Sequence, residues 1–217
     1  MKFAVVVPAY NESRHIGKVL REIKKHIDFI IVVDDGSRDN TSEIVQKEGV
    51  LIVRHRINLG KGAALKTGTE LAFKKGADAI IMLDSDGQHN PDDIPRFIKE
   101  IQKGYDVVIG SRKFDLGVPL VRFLGNKFAS VIINICFGIY VGDLLCGFRA
   151  FTKKAYKSIR WKSARYGVET EMVARIGRNK LKFSELPVES IYLDKYKGVT
   201  ILDAISVLFH IPEWRFL

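Results

Sequence analysis

Residues 29–37 read Phe29-Ile30-Ile31-Val32-Val33-Asp34-Asp35-Gly36-Ser37. The run 29–33 is apolar on both of its alternating faces and closes on two acids and a Gly-Ser turn. That pattern predicts a strand buried in a parallel sheet. Upstream, residues 13–27 place Ile16, Val19, Leu20, Ile23 and Ile27 at helical spacing, and downstream 41–48 reads as a short helix. The same unit recurs, with strands predicted over 3–7, 50–54, 78–83 and 106–110 and helices over 62–75 and 90–103. Asn90-Pro91-Asp92-Asp93 is a strong helix start: a capping Asn, a proline in the first turn and acids at the positive dipole end. Strands alternating with amphipathic helices predict an α/β fold, a mainly parallel sheet with helices on both faces. Ligands of such sheets bind beyond the carboxyl ends of the strands. Asp34-Asp35, Asp84-Ser85-Asp86 and Gly110-Ser111-Arg112 all fall there, so the three clusters should meet in one cleft.

With 217 residues, 28% charged and 47% hydrophobic, the chain is globular rather than disordered and has length for one or two domains. Its net charge of +10 suits phosphate-bearing partners or an anionic lipid surface. The basic residues are dispersed and no RNA-binding or helix-turn-helix pattern occurs, so nucleic acid is not an expected partner. Cys136 and Cys146 are too few for a disulfide framework and lack a second pair for zinc, which points to a reducing compartment. A strand-like run from Phe3 leaves no room for a signal peptide. No apolar run reaches the ~18 to 20 residues of a spanning helix; the nearest approach, 128–142, is uncharged but contains Asn134. The second half is less regular: a helix over 120–141, a strand over 147–152, a helix over 168–178, strands within 181–193 and a helix over 200–211. The expected organisation is one catalytic domain, 1–198, followed by an amphipathic, candidate membrane-interfacial segment, 199–217.

Each strand end carries its own chemistry. Asp84-Ser85-Asp86 follows Ile80-Ile81-Met82-Leu83, and two carboxylates one residue apart can share a hard divalent cation, Mg²⁺ or Mn²⁺, together with diphosphate oxygens. Alone, the triplet equally suits a solvated turn. Gln88 can add an amide oxygen near the metal, while His89 caps or packs. Of Asp34 and Asp35, one can bind a base or ribose and the other can cap the turn. Pro8-Ala9-Tyr10-Asn11-Glu12 ends the first strand with a stacking ring at Tyr10 and a hydrogen-bond acceptor at Glu12. Asn58-Leu59-Gly60-Lys61-Gly62-Ala63-Ala64 has neither Walker spacing nor the dinucleotide fingerprint, which disfavours kinase, GTPase and NAD readings. Lys61 and the amides opening that helix can still hold a phosphate or order a lid.

In order, Val-Val-Pro-Ala-Tyr-Asn-Glu (6–12), Val-Asp-Asp-Gly-Ser (33–37), Asn-Leu-Gly-Lys-Gly (58–62), Asp-Ser-Asp-Gly-Gln-His (84–89) and Gly-Ser-Arg (110–112) closely resemble family-2 inverting glycosyltransferases. Within these the chain is similar to the dolichyl-phosphate mannose or glucose synthase branch. Asp143-Leu144-Leu145-Cys146-Gly147-Phe148-Arg149 is similar to that branch's Asp-x-x-x-Gly-Phe-Arg segment, with Cys146 where relatives often have Ser, and Glu169-Thr170-Glu171 and Pro187-Val188-Glu189 also fit. The resemblance implies a GT-A fold, a nucleotide-sugar donor and Mg²⁺ or Mn²⁺. By it, Pro8, Tyr10, Asn11, Glu12 and Asp35 hold the nucleoside. Asp84, Asp86 and Gln88 surround the metal and diphosphate, with Asp86 catalytic. Arg112 and Arg149 face anionic groups of donor or lipid phosphate, and Asp143 orients the acceptor or acts as base.

The implied reaction is inverting transfer of a hexose, from GDP-mannose or from UDP-glucose or UDP-GlcNAc, to dolichyl or another polyprenyl phosphate. A phosphate acceptor is already anionic near neutral pH, so alignment and charge management are the protein's tasks. The alternative is a family-2 enzyme acting on a sugar or polysaccharide hydroxyl, which needs a base. A non-enzymatic nucleotide-binding relative is disfavoured because both acids of Asp-x-Asp are present. A polyprenyl acceptor implies a membrane surface as partner, at the cytoplasmic face, and admits a membrane partner protein. Segments 128–140 and 201–211, the latter followed by Trp214 and Phe216, are the candidates to meet it; both also suit the core.

Overall fold

The computed structural model describes residues 1–112, 120–165, 167–189 and Trp214, with residues 120–124 by their backbone. The chain runs β1 (Phe3–Ala9), α1 (Ile16–Lys24), β2 (Ile30–Asp34), α2 (Thr41–Lys47), β3 (Leu51–Arg54), α3 (Lys61–Lys74), β4 (Ala79–Met82), a 3₁₀ turn (Pro91–Asp93), α4 (Ile94–Gln102), β5 (Val107–Arg112), α5 (Leu120–Phe137), β6 (Arg149–Thr152), α6 (Lys153–Ile159), α7 (Val168–Arg178) and β7 (Phe183–Val188).

The strands form one sheet in the order β3-β2-β1-β4-β6-β5-β7. All pairs are parallel except those of β6, which runs against both β4 and β5. Successive strands lead outward from β1 on one side and start again at β4 on the other. The carboxyl ends of β1 and β4 therefore flank the crevice where such sheets bind ligands.

The period-2 alternation of strand side chains divides the core between the two faces. Ala4, Val6, Ile31, Val33, Ile80 and Met82 pack under one set of helices, with Leu65, Phe73, Tyr156, Trp161 and Val173. Phe3, Val5, Val7, Ile30, Val32 and Ile81 face the other set, with Ile16, Leu20, Ile23 and Phe97. On α1 the buried positions are Ile16, Gly17, Val19, Leu20 and Ile23, the stripe expected from spacing. Asn90 accepts from the Asp92 amide at 3.1 Å and so caps the turn that opens α4. Gly68 lets α3 approach the sheet closely: a Cβ there would lie 2.5 Å from a methyl carbon of Val6.

Two features depart from the sequence reading. Residues 153–159 form α6, with the Thr152 hydroxyl accepting from the Ala155 amide, where no helix was expected. Helix α5 ends at Phe137 rather than 141 because Gly138, at φ +68°, takes a left-handed turn. The helix expected over 200–211 and the loop before it lie outside the described residues. Among the described residues no helix is long and apolar enough to cross a membrane.

Candidate active site

The loop after β1 is tied to the loop after β2. The amides of Asn11, Glu12 and Ser13 donate to Ser37 Oγ at 2.9 Å, Thr41 Oγ1 at 2.9 Å and Asp39 Oδ2 at 3.1 Å, and Asn11 Oδ1 accepts from the Arg38 amide at 2.8 Å. Asn11 sits at φ 54°, a region asparagine enters more readily than most residues. Pro8 is buried in the sheet opposite Val33, whereas Tyr10 is 43% exposed at the mouth, its ring open for stacking. The Glu12 carboxylate meets His15 Nδ1 at 3.1 Å.

Both acids at the end of β2 are buried and engaged. Asp34 accepts from the Ser37 amide at 2.8 Å and from the Ser42 hydroxyl. Asp35 Oδ1 accepts from the Leu59 amide at 2.9 Å and lies 2.7 Å from His55 Nδ1, and Oδ2 accepts from the Gly60 amide at 2.7 Å. Asp35 therefore shapes the 59–60 corner where α3 begins.

At that corner Gly60 adopts φ +100°, and a Cβ would come 2.5 Å from the Ala164 carbonyl oxygen. The Ala63 amide is taken by the same carbonyl at 3.0 Å, so the helix start offers fewer amides to a phosphate than expected. Lys61, the first residue of α3, instead reaches across the crevice. Its Nζ lies 2.8 Å from Asp84 Oδ1, 2.9 Å from Asp84 Oδ2 and 2.7 Å from Glu169 Oε1. Burial by itself lowers the pKa of an ammonium; the charges of Asp84 and Glu169 outweigh it and hold that of Lys61 above its usual value. Burial likewise works against ionised Asp84, and Lys61 overrides it to keep that carboxyl below the usual range.

Asp86 differs. Burial, then the neighbouring Asp84 charge, push its carboxyl up, while its Oδ1 accepts from the Gln88 amide at 3.0 Å. Two acids whose mutual repulsion raises one of them are what a divalent cation relieves, so the donor set fits Mg²⁺ or Mn²⁺. Among the described residues no group of three or more His, Cys, Asp or Glu is arranged for a metal, so water and substrate oxygens would complete the coordination. His89 packs its ring on Phe148 with centroids 5.5 Å apart and brings Nε2 to 3.8 Å from Asp84, the packing role expected of it. Gly147 is required here: a Cβ would fall 2.3 Å from Asp84 Oδ2.

On the far side of the 143–147 loop, Arg112 Nε and Nη2 donate to Asp143 Oδ2 and Oδ1 at 2.6 and 3.0 Å. Asp143 also accepts from Asn126 Nδ2 at 3.1 Å, the Leu145 amide at 3.2 Å and the Arg112 amide at 3.3 Å. Burial favours the neutral acid, but Arg112 outweighs it and leaves the Asp143 carboxyl below its ordinary range. A buried carboxylate with five donors is a poor proton acceptor, and here it holds Arg112 in place. Arg149 is enclosed: Nε, Nη1 and Nη2 donate to the carbonyls of Cys146 at 2.9 Å, Glu169 at 2.6 Å and Leu144 at 2.7 Å. These donors bind the 144–146 loop to the start of α7.

The chain matches the family described as Glycosyl transferase family 2 over residues 4–160. It is a family-2 glycosyltransferase. The enzyme is 40% identical over 215 residues to an uncharacterised protein of Methanocaldococcus jannaschii, covering 94% of this chain and 88% of that one. It is 33% identical over 234 residues to the UDP-N-acetylglucosamine–dolichyl-phosphate N-acetylglucosaminyltransferase of Methanococcus voltae, covering 95% and 93%. In fold it is similar to glucosyl-3-phosphoglycerate synthase from Mycobacterium tuberculosis, solved with Mn²⁺, UDP-glucose and phosphoglyceric acid. That likeness has a TM-score of 0.76 at 20% identity and covers 100% of this chain and 80% of the other. The glycosyltransferase thus has a GT-A fold in a single α/β domain. Three of its site residues were given no role by the sequence reading: Glu169 on Lys61, Asn126 on Asp143, and His55, which joins Asp35 to Thr67 Oγ1 at 3.0 Å. Glu169 was visible as part of Glu-Thr-Glu; Asn126, one of two side-chain amides in α5, was the available signal for the second.

Proposed function

We propose that this glycosyltransferase moves a hexose from a nucleotide sugar to a dolichyl or other polyprenyl phosphate, with inversion, at a membrane surface. The observation that carries the reading is the state of Asp143. A hydroxyl acceptor needs a base, and the acid expected to serve is consumed by Arg112 and Asn126. A phosphate acceptor needs none; it needs a fixed cation, and Arg112, clamped by Asp143 with its side chain 23% exposed, supplies one. The dolichyl-phosphate acceptor of the Methanococcus voltae relative supports the same acceptor class.

On the donor side, Tyr10, Asn11 and Glu12 line the nucleoside end and Lys61 attracts the diphosphate. Asp84 and Asp86, with Gln88 beside them, would hold a Mg²⁺ or Mn²⁺ whose charge offsets that of the departing nucleoside diphosphate. The acceptor phosphate, aligned by Arg112, attacks the anomeric carbon in line from the face opposite the diphosphate.

Helix α5 supports the membrane component. Ile133 and Phe137 are in the core, while Phe128, Val131 and Ile135 are 62%, 47% and 77% exposed on one face. Segment 128–140 is thus split between solvent and core: Val131 and Ile135 face out, whereas Ile139 is buried. Tyr140, beside Lys127, extends that face with an aromatic ring and a cation, as interfacial helices do. We place the enzyme as a peripheral protein on the cytoplasmic face, with a membrane partner protein as an added means of attachment.

The test incubates the protein with Mn²⁺, each of the three nucleotide sugars and dolichyl phosphate in vesicles. Release of one nucleotide together with a lipid-linked sugar is expected. A second reading, transfer to a sugar hydroxyl, draws on Glu185, whose carboxyl burial pushes up and whose Oε1 accepts from the Gly142 amide at 2.7 Å. Transfer to a water-soluble sugar without lipid, abolished by Glu185→Gln, would establish that reading instead.

A further inference from the structure

Lys61 and Glu169 have a relationship that phosphate binding alone does not explain. A lysine reserved for a diphosphate would point into the cleft with its charge unspent. Here the ammonium sits between two carboxylates, within 2.9 Å of both oxygens of Asp84 and 2.7 Å from Glu169. Glu169 is itself held by its backbone, since its carbonyl accepts from Arg149 at 2.6 Å and it lies in the first turn of α7. Gly147 packs against both Asp84 and Lys61: a Cβ there would fall 2.3 Å from Asp84 Oδ2 and 3.0 Å from Lys61 Nζ.

We infer that Lys61 is a resident cation of the Asp-x-Asp site, and that Glu169 is a positioning residue that parks it on Asp84. A divalent ion arriving alone must displace an ammonium that already neutralises one of its two carboxylate ligands. A nucleoside diphosphate changes the balance, because its oxygens give Lys61 a new anionic partner and give the metal further ligands. Metal and nucleotide therefore enter as coupled events, each raising the affinity for the other by the same factor. This inference rests on the nucleotide-sugar reading above, but its first measurement needs no nucleotide.

Mn²⁺ binding to the intact protein is measured by electron paramagnetic resonance of the free ion, with no nucleotide, sugar or lipid present. Lys61→Met should bind Mn²⁺ about tenfold more tightly than wild type, because a like charge within contact distance of the ligand oxygens has gone. Lys66→Met, which removes the same charge from the same helix, should not. Equal Mn²⁺ affinity in Lys61→Met and wild type, with the variant folded by circular dichroism, overturns the inference. Glu169→Gln supplies an independent arm. With one carboxylate fewer to hold it, Lys61 turns more readily to phosphate, so UDP or GDP in excess chelator should bind a few-fold tighter than to wild type. A purely structural role for Glu169 predicts weaker binding, and that result counts against the inference. If neither nucleotide binds any form of the protein even with Mn²⁺, the nucleotide-sugar reading fails, while the Mn²⁺ comparison still decides the role of Lys61.

Discussion

The guanidinium of Arg112 grips Asp143 through two nitrogens, at 2.6 and 3.0 Å, and Asn126 presses on the same carboxylate from α5. Asp143 is fully buried, so its charge is tolerable only while these donors remain. Asp143→Asn should abolish lipid-dependent transfer and destabilise the fold by about 3 kcal/mol, the scale for breaking a buried pair. The pH dependence has a defined sign. The folded pKa lies below the unfolded value of ~3.9, so the stabilisation is full above that value. It is lost as pH falls through the depressed folded pKa. Thermal melts from pH 7 down to 3 should show wild type losing an advantage that Asp143→Asn never had.

Arg149→Lys should act on stability before chemistry. One ammonium cannot reach three carbonyls set around a planar guanidinium, and each buried carbonyl left without a partner costs about 1–3 kcal/mol. A melting temperature lowered by ~5–10 °C is expected, at ~2–4 °C per kcal/mol for a chain of this size. Unchanged melting with lost transfer would return Arg149 to the acceptor.

Gly147→Ala tests the crowding at Asp84. The added methyl carbon would start 2.3 Å from Asp84 Oδ2 and 3.0 Å from Lys61 Nζ, so the carboxylate has to move. We expect Mn²⁺-dependent nucleotide binding to weaken about tenfold or more. Melting should shift little, because the displaced atoms belong to polar side chains at the edge of the cleft.

The two thiols should differ in reactivity. Burial, then the charge of Asp143, push the Cys146 thiol up to about 12, whereas Cys136 is half-buried on α5. Iodoacetamide at pH 8 should label Cys136 in the native protein and reach Cys146 only after denaturation, as read by peptide mass spectrometry. Equal native labelling would show that the 143–147 loop opens.

Much of the fold was legible because its first half obeys two periodicities. The alternation through 29–33 and the stripe Ile16-Val19-Leu20-Ile23 are local signals, and each element they predict is present within a few residues. The direction of β6 was not legible, since an apolar run pairs equally well with either neighbour orientation until the rest of the sheet is in place. Residue types at the site were legible and their targets were not. Arg112, Asp143 and Arg149 are all charged groups on strand ends or adjoining loops. Whether each faces a ligand or another group of the protein depends on partners such as Asn126 and Glu169, 17 and 20 residues away in sequence. Asp35 shows the same ambiguity, its acceptors being filled by amides of a loop more than twenty residues on.

Strand β6 also acts as a ruler. Its first residue, Arg149, stands opposite Met82 on one side and Ile109 on the other, so β4, which leads to Asp84, and β5, which ends at Arg112, never touch. Neighbouring strands lie ~4.8 Å apart, so the interposed strand separates the two roots by ~10 Å. The gap between the acid pair and the arginine is thereby set by backbone hydrogen bonding and not by flexible side chains. Loops above the sheet can change which sugar is handed across, or to what, while the width of the handover stays constant.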